Sequence, residues 1–201
     1  MKRVGITQRV VTVESYDERR DALDQRWVSL LEPLGILPIP IPNGVANVGR
    51  FLEACPLDGL ILSGGNSPHT HGGDAPERDR VEIQLIDIAI RQQMPTLAVC
   101  RGMQMLQLHY GGRLETVEGH VTKSLAITVN GEQRHVNSYH NLAFKETAPP
   151  LETWGFADDG VIKAIRHPDL PMVGIMWHPE RQEPADDQDL QLLSEIFGAH
   201  A

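Results

Sequence analysis

The sequence predicts an α/β domain built on a largely parallel sheet. Short apolar runs alternate along the chain with longer segments of helical period, the pattern of repeated strand–helix units. Several runs stop abruptly at turns carrying Gly, Cys or His, as strands do at the carboxyl edge of such a sheet. The 201 residues are enough to cover a sheet on both faces as one domain spanning 1–201.

Val4–Thr7 reads as a first buried strand. Arg19 to Leu34 reads as a helix, with Leu23, Trp27, Leu30 and Leu34 at spacings of three and four. Gly35–Ile41 is extended, and Pro38, Pro40 and Pro42 assign it to a sheet edge or end. Val45–Ala54 suits a short helix, and Gly59–Leu62 a compact strand that stops at Ser63-Gly64-Gly65-Asn66. A polar loop follows from Ser67 to Pro76. Glu77 to Gln93 then reads as a helix with Ile83, Ile86 and Ile90 on its apolar side. Thr96–Val99 is a strand, and a helix starts after Cys100. Beyond Gly111-Gly112 the pattern shortens to strands at Leu125–Val129, Val161–Ile165 and Met172–Met176, and Asp187–Phe197 closes the chain as a helix. There is no internal repeat and no low-complexity tract.

A formal charge of −9 argues against nucleic-acid binding, which needs a basic field, but leaves room for a small anion held by local arginines. No run of roughly 18 apolar residues exists to span a membrane. Met1-Lys2-Arg3 leads directly into a strand, so the expectation is a cytoplasmic protein without membrane association. Two cysteines make no disulfide framework, and Cys55 reads as a small structural residue.

The chemistry concentrates at strand ends. Thr96-Leu97-Ala98-Val99-Cys100 delivers a thiol into a turn whose following helix points its free N–H groups back at the sulfur, an arrangement that favours thiolate. Gly174-Ile175-Met176-Trp177-His178-Pro179-Glu180 runs an apolar strand into His-x-Glu. On an extended backbone His178 and Glu180 face one side, so the carboxylate can orient the imidazole. Cys100 as nucleophile, His178 as base and Glu180 as orienter make a triad. The oxyanion of acyl transfer needs backbone donors, which the amides of Arg101 and the Gly64-Gly65 turn can supply.

These residues, with Leu62-Ser63-Gly64-Gly65-Asn66, Cys100-Arg101-Gly102-Met103-Gln104 and Val136-Asn137-Ser138-Tyr139-His140, resemble the class I glutamine amidotransferase-like family of triad amidotransferases and γ-glutamyl hydrolases. The motifs stand in the family's order over nearly the whole chain. The resemblance implies a flavodoxin-like, mostly parallel sheet flanked by helices, with a small antiparallel portion in the C-terminal half. It assigns the triad to Cys100, His178 and Glu180, and the oxyanion donors to the amides of Gly65 and Arg101. Gln104, Ser138 and Tyr139 fall at the contacts to the γ-glutamyl head, the latter two through backbone, and Gly64 lets backbone approach the ligand. The residue after the double glycine is Asn66, where the family commonly has aspartate.

Arg101 and Glu77-Arg78-Asp79-x-x-Glu82 are similar to the γ-glutamyl-γ-aminobutyrate hydrolase branch. The head Gly5-Ile6-Thr7-Gln8-Arg9, with Tyr16 to Trp27, looks like shorter relatives that act on γ-glutamyl-CDP-amidate in capsule phosphoramidate synthesis. The resemblance thus implies a small-molecule γ-glutamyl substrate and no cofactor. The alternatives are γ-glutamyl-γ-aminobutyrate hydrolysis, or a glutaminase subunit feeding a synthase partner.

Arg9 and Tyr16 follow the first strand at the ligand-binding edge, where Arg9 suits a diphosphate as well as it suits solvent. Arg20 and Arg26 read as solvated. The Arg101 side chain reads as a brace to Glu82 or Asp79, and Arg78–Asp79 as a helix-start ion pair. His69 and His71, near Asp74, lack further ligands for zinc and read as a loop at the site's rim, not a metal site. His140 fits either the pocket wall or a buried, satisfied position.

Overall fold

The computed structural model describes residues 1–199. Its strands are β1 (Lys2–Thr7), β2 (Arg9–Val13), β3 (Glu18–Ala22), β4 (Ile36–Ile41), β5 (Gly59–Leu62), β6 (Thr96–Val99), β7 (Glu115–Thr116), β8 (Val121–Val129), β9 (Glu132–Tyr139), β10 (Leu142–Ala143), β11 (Glu152–Ala157), β12 (Ile162–Arg166) and β13 (Met172–Ile175). The helices are α1 (Arg26–Leu31), α2 (Val48–Ala54), α3 (Pro76–Gln92), α4 (Arg101–His109) and α5 (Asp187–Phe197).

One nine-stranded sheet runs β4-β1-β5-β6-β13-β12-β11-β8-β9. The first five strands pair in parallel, and the pairings from β13 to β9 are antiparallel. Taken in chain order, the parallel strands lie 2-1-3-4-5, the flavodoxin-like arrangement, whose ligand crevice opens at the carboxyl ends where the order reverses. Leu97, Ala98 and Val99 are fully buried because helices cover both faces, which is why β6 reads as an unbroken apolar run.

The two faces divide the core. On one, Trp27, Leu30 and Leu31 of α1 and Leu193 and Phe197 of α5 pack against Val4, Ile6, Leu97, Val99 and Ile175. On the other, Val48 of α2, Val81 and Leu85 of α3, and Met103 and Leu106 of α4 pack against Leu60, Leu62 and Ala98. No helix is long and apolar enough to cross a membrane among the described residues.

The structure revises the sequence reading in three places. Of the helix expected over Arg19–Leu34, only Arg26–Leu31 is α-helical, with a 3-10 turn at Glu32–Leu34. Glu18–Ala22 instead pairs with Arg9–Val13 as an antiparallel hairpin, in register from Arg9↔Ala22 to Val13↔Glu18. Tertiary bonds select the extended form: the Asp21 carboxylate accepts from Asn43 N at 2.9 Å and Nδ2 at 2.7 Å, and Arg19 reaches Glu77 at 2.6 Å. In α3 the buried face carries Arg78 and Glu82 beside Val81 and Leu85, so the inward face is rotated and Ile83 is left exposed. The antiparallel portion is larger than expected, because β9 and β11 join β8 and β12 in a four-stranded wing.

Candidate active site

Cys100 caps the N-terminus of α4 with φ 52° and ψ −104°, a conformation rarely adopted by a residue with a Cβ. Such backbone costs about 1–3 kcal/mol and persists only where the surroundings enforce it. Here the Cys100 N–H donates to Ile175 O at 2.7 Å, and its carbonyl accepts from Gln104 N at 3.0 Å. The elbow also needs a glycine two residues on. A Cβ at Gly102 would lie 2.1 Å from Leu62 O, so only glycine lets α4 start this close to β5. As the first residue of α4, Arg101 has an N–H with no acceptor inside the helix.

His178 follows β13 in extended conformation, and Glu180 lies in a 3-10 turn, Pro179–Arg181, rather than on the extended backbone expected. The turn still brings Glu180 Oε1 within 2.9 Å of His178 Nδ1. Asn137 on β9 holds the histidine's main chain from both sides, accepting from His178 N at 2.9 Å and donating to His178 O at 2.8 Å. Burial opposes charge on His178, but the adjacent Cys100 sulfur and Glu180 outweigh it and raise the imidazole to about 9. The ring is therefore protonated at neutral pH, beside the Cys100 sulfur. A Cβ at Gly64 would lie 2.6 Å from His178 Cε1 and 3.6 Å from Cys100 Cβ, so the thiol and imidazole meet over a glycine.

Beneath that turn lies a buried charge network. Arg78 donates to Ser63 O at 2.7 Å, to Gly64 O at 3.1 Å and to Gly65 O. Its Nε is bonded to Glu82 Oε1 at 2.9 Å, and Arg101 bonds the other Glu82 oxygen and Asp79. Burial lowers Arg78 to about 10, which leaves it cationic at neutral pH. Burial pushes Glu82 upward, and Arg101 and Arg78 together bring its carboxyl below the ordinary range. The Arg101 brace expected from sequence is present. Arg78, expected as a helix-start pair with Asp79, is instead paired with Glu82.

A cavity of about 320 Å³ opens over Cys100, walled by Arg101, Gln104, Tyr139, His140, His178 and Gly65, with Arg9 and Arg181 at its edge. A neighbouring hollow of about 280 Å³ shares Arg9, Gly65 and Arg181 and includes Gly64, Trp27 and Leu23. Gln104 donates from Nε2 to Leu142 O at 2.7 Å. Arg9 lies across Gly65, its Nε 3.3 Å from where a Cβ would stand.

The chain matches the Peptidase C26 family over residues 3–122 and 114–180. The chain belongs to that family. It is 30% identical to the gamma-glutamyl-CDP-amidate hydrolase of Campylobacter jejuni, covering 96% of each chain. To the gamma-glutamyl-gamma-aminobutyrate hydrolase of Escherichia coli O157:H7 it is 28% identical, covering 79% of this chain and 78% of that one. A glutamine amidotransferase structure from Thermotoga maritima superposes with a TM-score of 0.68 at 17% identity, covering 98% of this chain and 82% of that one, and shares the fold. As a Peptidase C26 member the protein is a hydrolase.

Within this family framework the structure brings Cys100, His178, Glu180, Gly64, Gly65, Arg101, Gln104, Tyr139 and Arg9 together. Tyr16 and Ser138 are not among the residues lining the cavity. Tyr16 stands at the exposed tip of the β2–β3 hairpin, bonded to Arg20 at 2.9 Å, because the hairpin carries it roughly 13 Å beyond Arg9. Ser138, expected there through its backbone, is buried beside the lining residue Tyr139, its hydroxyl donating to His120 O at 2.8 Å and accepting from Lys163 at 3.1 Å. His69 and His71 form a 3-10 turn tied by His69 N to Asp79, and no metal-binding group of side chains occurs among the described residues.

Sequence reasoning missed Arg181, whose guanidinium lies 5.1 Å over the Tyr139 ring at the cavity edge. It also missed Lys163, which donates to His140 Nε2 at 2.7 Å. Burial lowers Lys163 to about 8, with Cys100 and Asp159 opposing, and burial with Lys163 pushes His140 down to about 2. His140 is therefore neutral, with its proton on Nδ1. Adjacency to His-x-Glu was the one signal for Arg181; a lysine between apolar residues of a buried strand was the signal for Lys163.

Proposed function

We propose that the protein hydrolyses γ-glutamyl amides through a γ-glutamyl thioester on Cys100. The carrying observation is the convergence of Cys100 with the His178–Glu180 pair at the carboxyl ends of the adjacent strands β6 and β13. The Cys100 sulfur attacks the γ-carbonyl carbon, and a C–S bond forms. Charge on the carbonyl oxygen is met by the N–H groups of Gly65 and Arg101. Collapse breaks the C–N bond as His178 gives its Nε2 proton to the departing nitrogen. His178 then takes a proton from water, hydroxide attacks the thioester, and glutamate leaves with Cys100 restored. Glu180 holds the imidazole in the tautomer that keeps Nε2 toward sulfur. In this reading Gln104, with its Nε2 bonded to Leu142 O, offers Oε1 to the α-ammonium group of the glutamyl head, and Tyr139 meets the head through backbone.

The finer reading is γ-glutamyl-CDP-amidate as substrate, yielding glutamate and cytidine diphosphoramidate. The full-length similarity to the Campylobacter hydrolase supports it. So does the placement of two guanidiniums, Arg9 and Arg181, which line both hollows beside Gly65 and can meet a diphosphate there. Glutamate release from γ-glutamyl-CDP-amidate, γ-glutamyl-γ-aminobutyrate and glutamine, with Cys100→Ala as control, tests both levels. Cys100-dependent turnover with a strong preference for the nucleotide amide is the expected result. Preference for the aminobutyrate amide assigns the polyamine-type reaction, and activity on glutamine alone or only with a synthase overturns the nucleotide-amide reading and assigns an amidotransferase subunit.

A further inference from the structure

We infer that Arg78 is a positioning residue that builds the oxyanion site from below, so that the site stands assembled without substrate or a second protein. The inference rests on the proposed acyl-transfer chemistry for its meaning, but its geometry is independent. One guanidinium takes the carbonyls of three successive residues, Ser63, Gly64 and Gly65, and also donates to Ser63 Oγ at 3.1 Å. A trans peptide is planar, with its C=O and N–H antiparallel. Holding Gly64 O toward Arg78 therefore turns the Gly65 N–H to the opposite side of the turn. That side is the cavity: Gly65 lines it with Cys100, and the Cβ direction of Gly64 points at His178 and Cys100. Arg78 itself is fully buried and lines no part of the cavity.

The same network fixes the second donor. Glu82 bridges Arg78 to Arg101, the residue whose N–H follows the nucleophile, so one carboxylate ties both halves of the oxyanion site together. Both charges of Glu82 and Arg78 are completely out of water, which only a fully bonded arrangement tolerates. A rotated Gly64–Gly65 peptide would remove a carbonyl from a buried guanidinium and present its oxygen to the cavity. The buried network therefore biases the turn toward the donor-inward state. The purified chain is accordingly expected to turn over substrate unaided.

Arg78→Lys tests this, since an ammonium keeps the charge yet donates from one point and cannot span three carbonyls. With γ-glutamyl-p-nitroanilide as probe, kcat is expected to fall about 10²–10³-fold, the loss typical of one oxyanion donor, with KM within about twofold. Alkylation of Cys100 by iodoacetamide builds no oxyanion, and its rate is expected to stay within about twofold of the parent. Undiminished kcat, or alkylation falling in step with kcat, overturns the inference. The crystal structure of the variant reads the Gly64–Gly65 peptide directly: rotation supports the inference and an unmoved peptide overturns it. Should Arg78→Lys fail to fold, Glu82→Asp, which shortens the anchor under Arg78, carries the same readouts. If the parent protein releases glutamate from none of these γ-glutamyl amides, alone or with a synthase, the proposed function fails, and the peptide orientation still decides the role of Arg78.

Discussion

At the scale of single residues, the site depends on two opposed requirements at one point. Cys100 and His178 must approach closely, and Gly64 provides the space. Gly64→Ala would put a methyl 2.6 Å from His178 Cε1, so the ring must move. Displacements of about 1 Å cost on the order of 10² in rate, and kcat for glutamate release is expected to drop by that factor while folding is retained. Unaltered kcat would show that the imidazole accommodates the methyl. The raised pKa of His178 gives a second prediction. The protonated ring is the form paired with the Cys100 sulfur, and with its proton held to about 9 the pair survives across neutral pH. The alkaline limb of kcat/KM is expected near pH 9 rather than near 6.5. The same shift contributes stability that is fully present below about 6.5 and lost as pH rises through 9. Glu180→Gln should move the limb to lower pH, because it removes one of the charges that raise His178; a limb that does not move would assign it to another group.

At the scale of elements, the β2–β3 hairpin is held by side-chain chemistry at its base. Asn66, in left-handed conformation at φ 56°, accepts from Val10 N at 2.8 Å and donates to Val10 O at 3.0 Å, as a neighbouring strand would. An aspartate there cannot donate to Val10 O, and it would set a second carboxylate against Asp74 Oδ1, 3.3 Å from the present Nδ2. Asn66→Asp is expected to destabilise the chain by about 1–3 kcal/mol, seen as a lower Tm and faster amide exchange along β2. Equal Tm and exchange would mean the hairpin docks by other contacts.

This hairpin also marks where sequence reading stops. β1, β5, β6 and β13 were legible because each is a buried apolar run, and the proposed triad with them because each run ends on its functional residue. The hairpin offers no such pattern: Glu18–Ala22 is almost wholly exposed and polar, and its bonds to Asn43 and Glu77 come from segments distant in the chain. The Leu23–Trp27–Leu30–Leu34 spacing therefore suggested a longer helix and left Tyr16 near the site. Arg78 was visible as a charge at a helix start. Its burial under Gly64 and Gly65 depends on a turn well over ten residues earlier, which local periodicity cannot report.

At the scale of the whole molecule, charge is distributed against its total. The chain carries −9, yet Arg9 and Arg181 stand at the mouth of the cavity over Cys100. An anionic leaving group meets a repulsive net field at long range and two guanidiniums at contact. At physiological ionic strength charges beyond about 8 Å are largely screened, so the contact term decides binding. Arg9 is the cleaner probe, because Arg181 also touches Glu180, at 3.5 Å, and Tyr139. Arg9→Ala is expected to raise KM for γ-glutamyl-CDP-amidate roughly five- to tenfold, an effect limited by the exposure of Arg9, and to leave KM for glutamine unchanged. Salt should behave in parallel: raising ionic strength weakens the parent's preference for the nucleotide amide over glutamine, and has less effect in the variant. An equal rise for both substrates would make Arg9 a brace for Gly65 alone. No rise for either would move the diphosphate to another part of the edge, with Arg181 the remaining guanidinium beside Gly65.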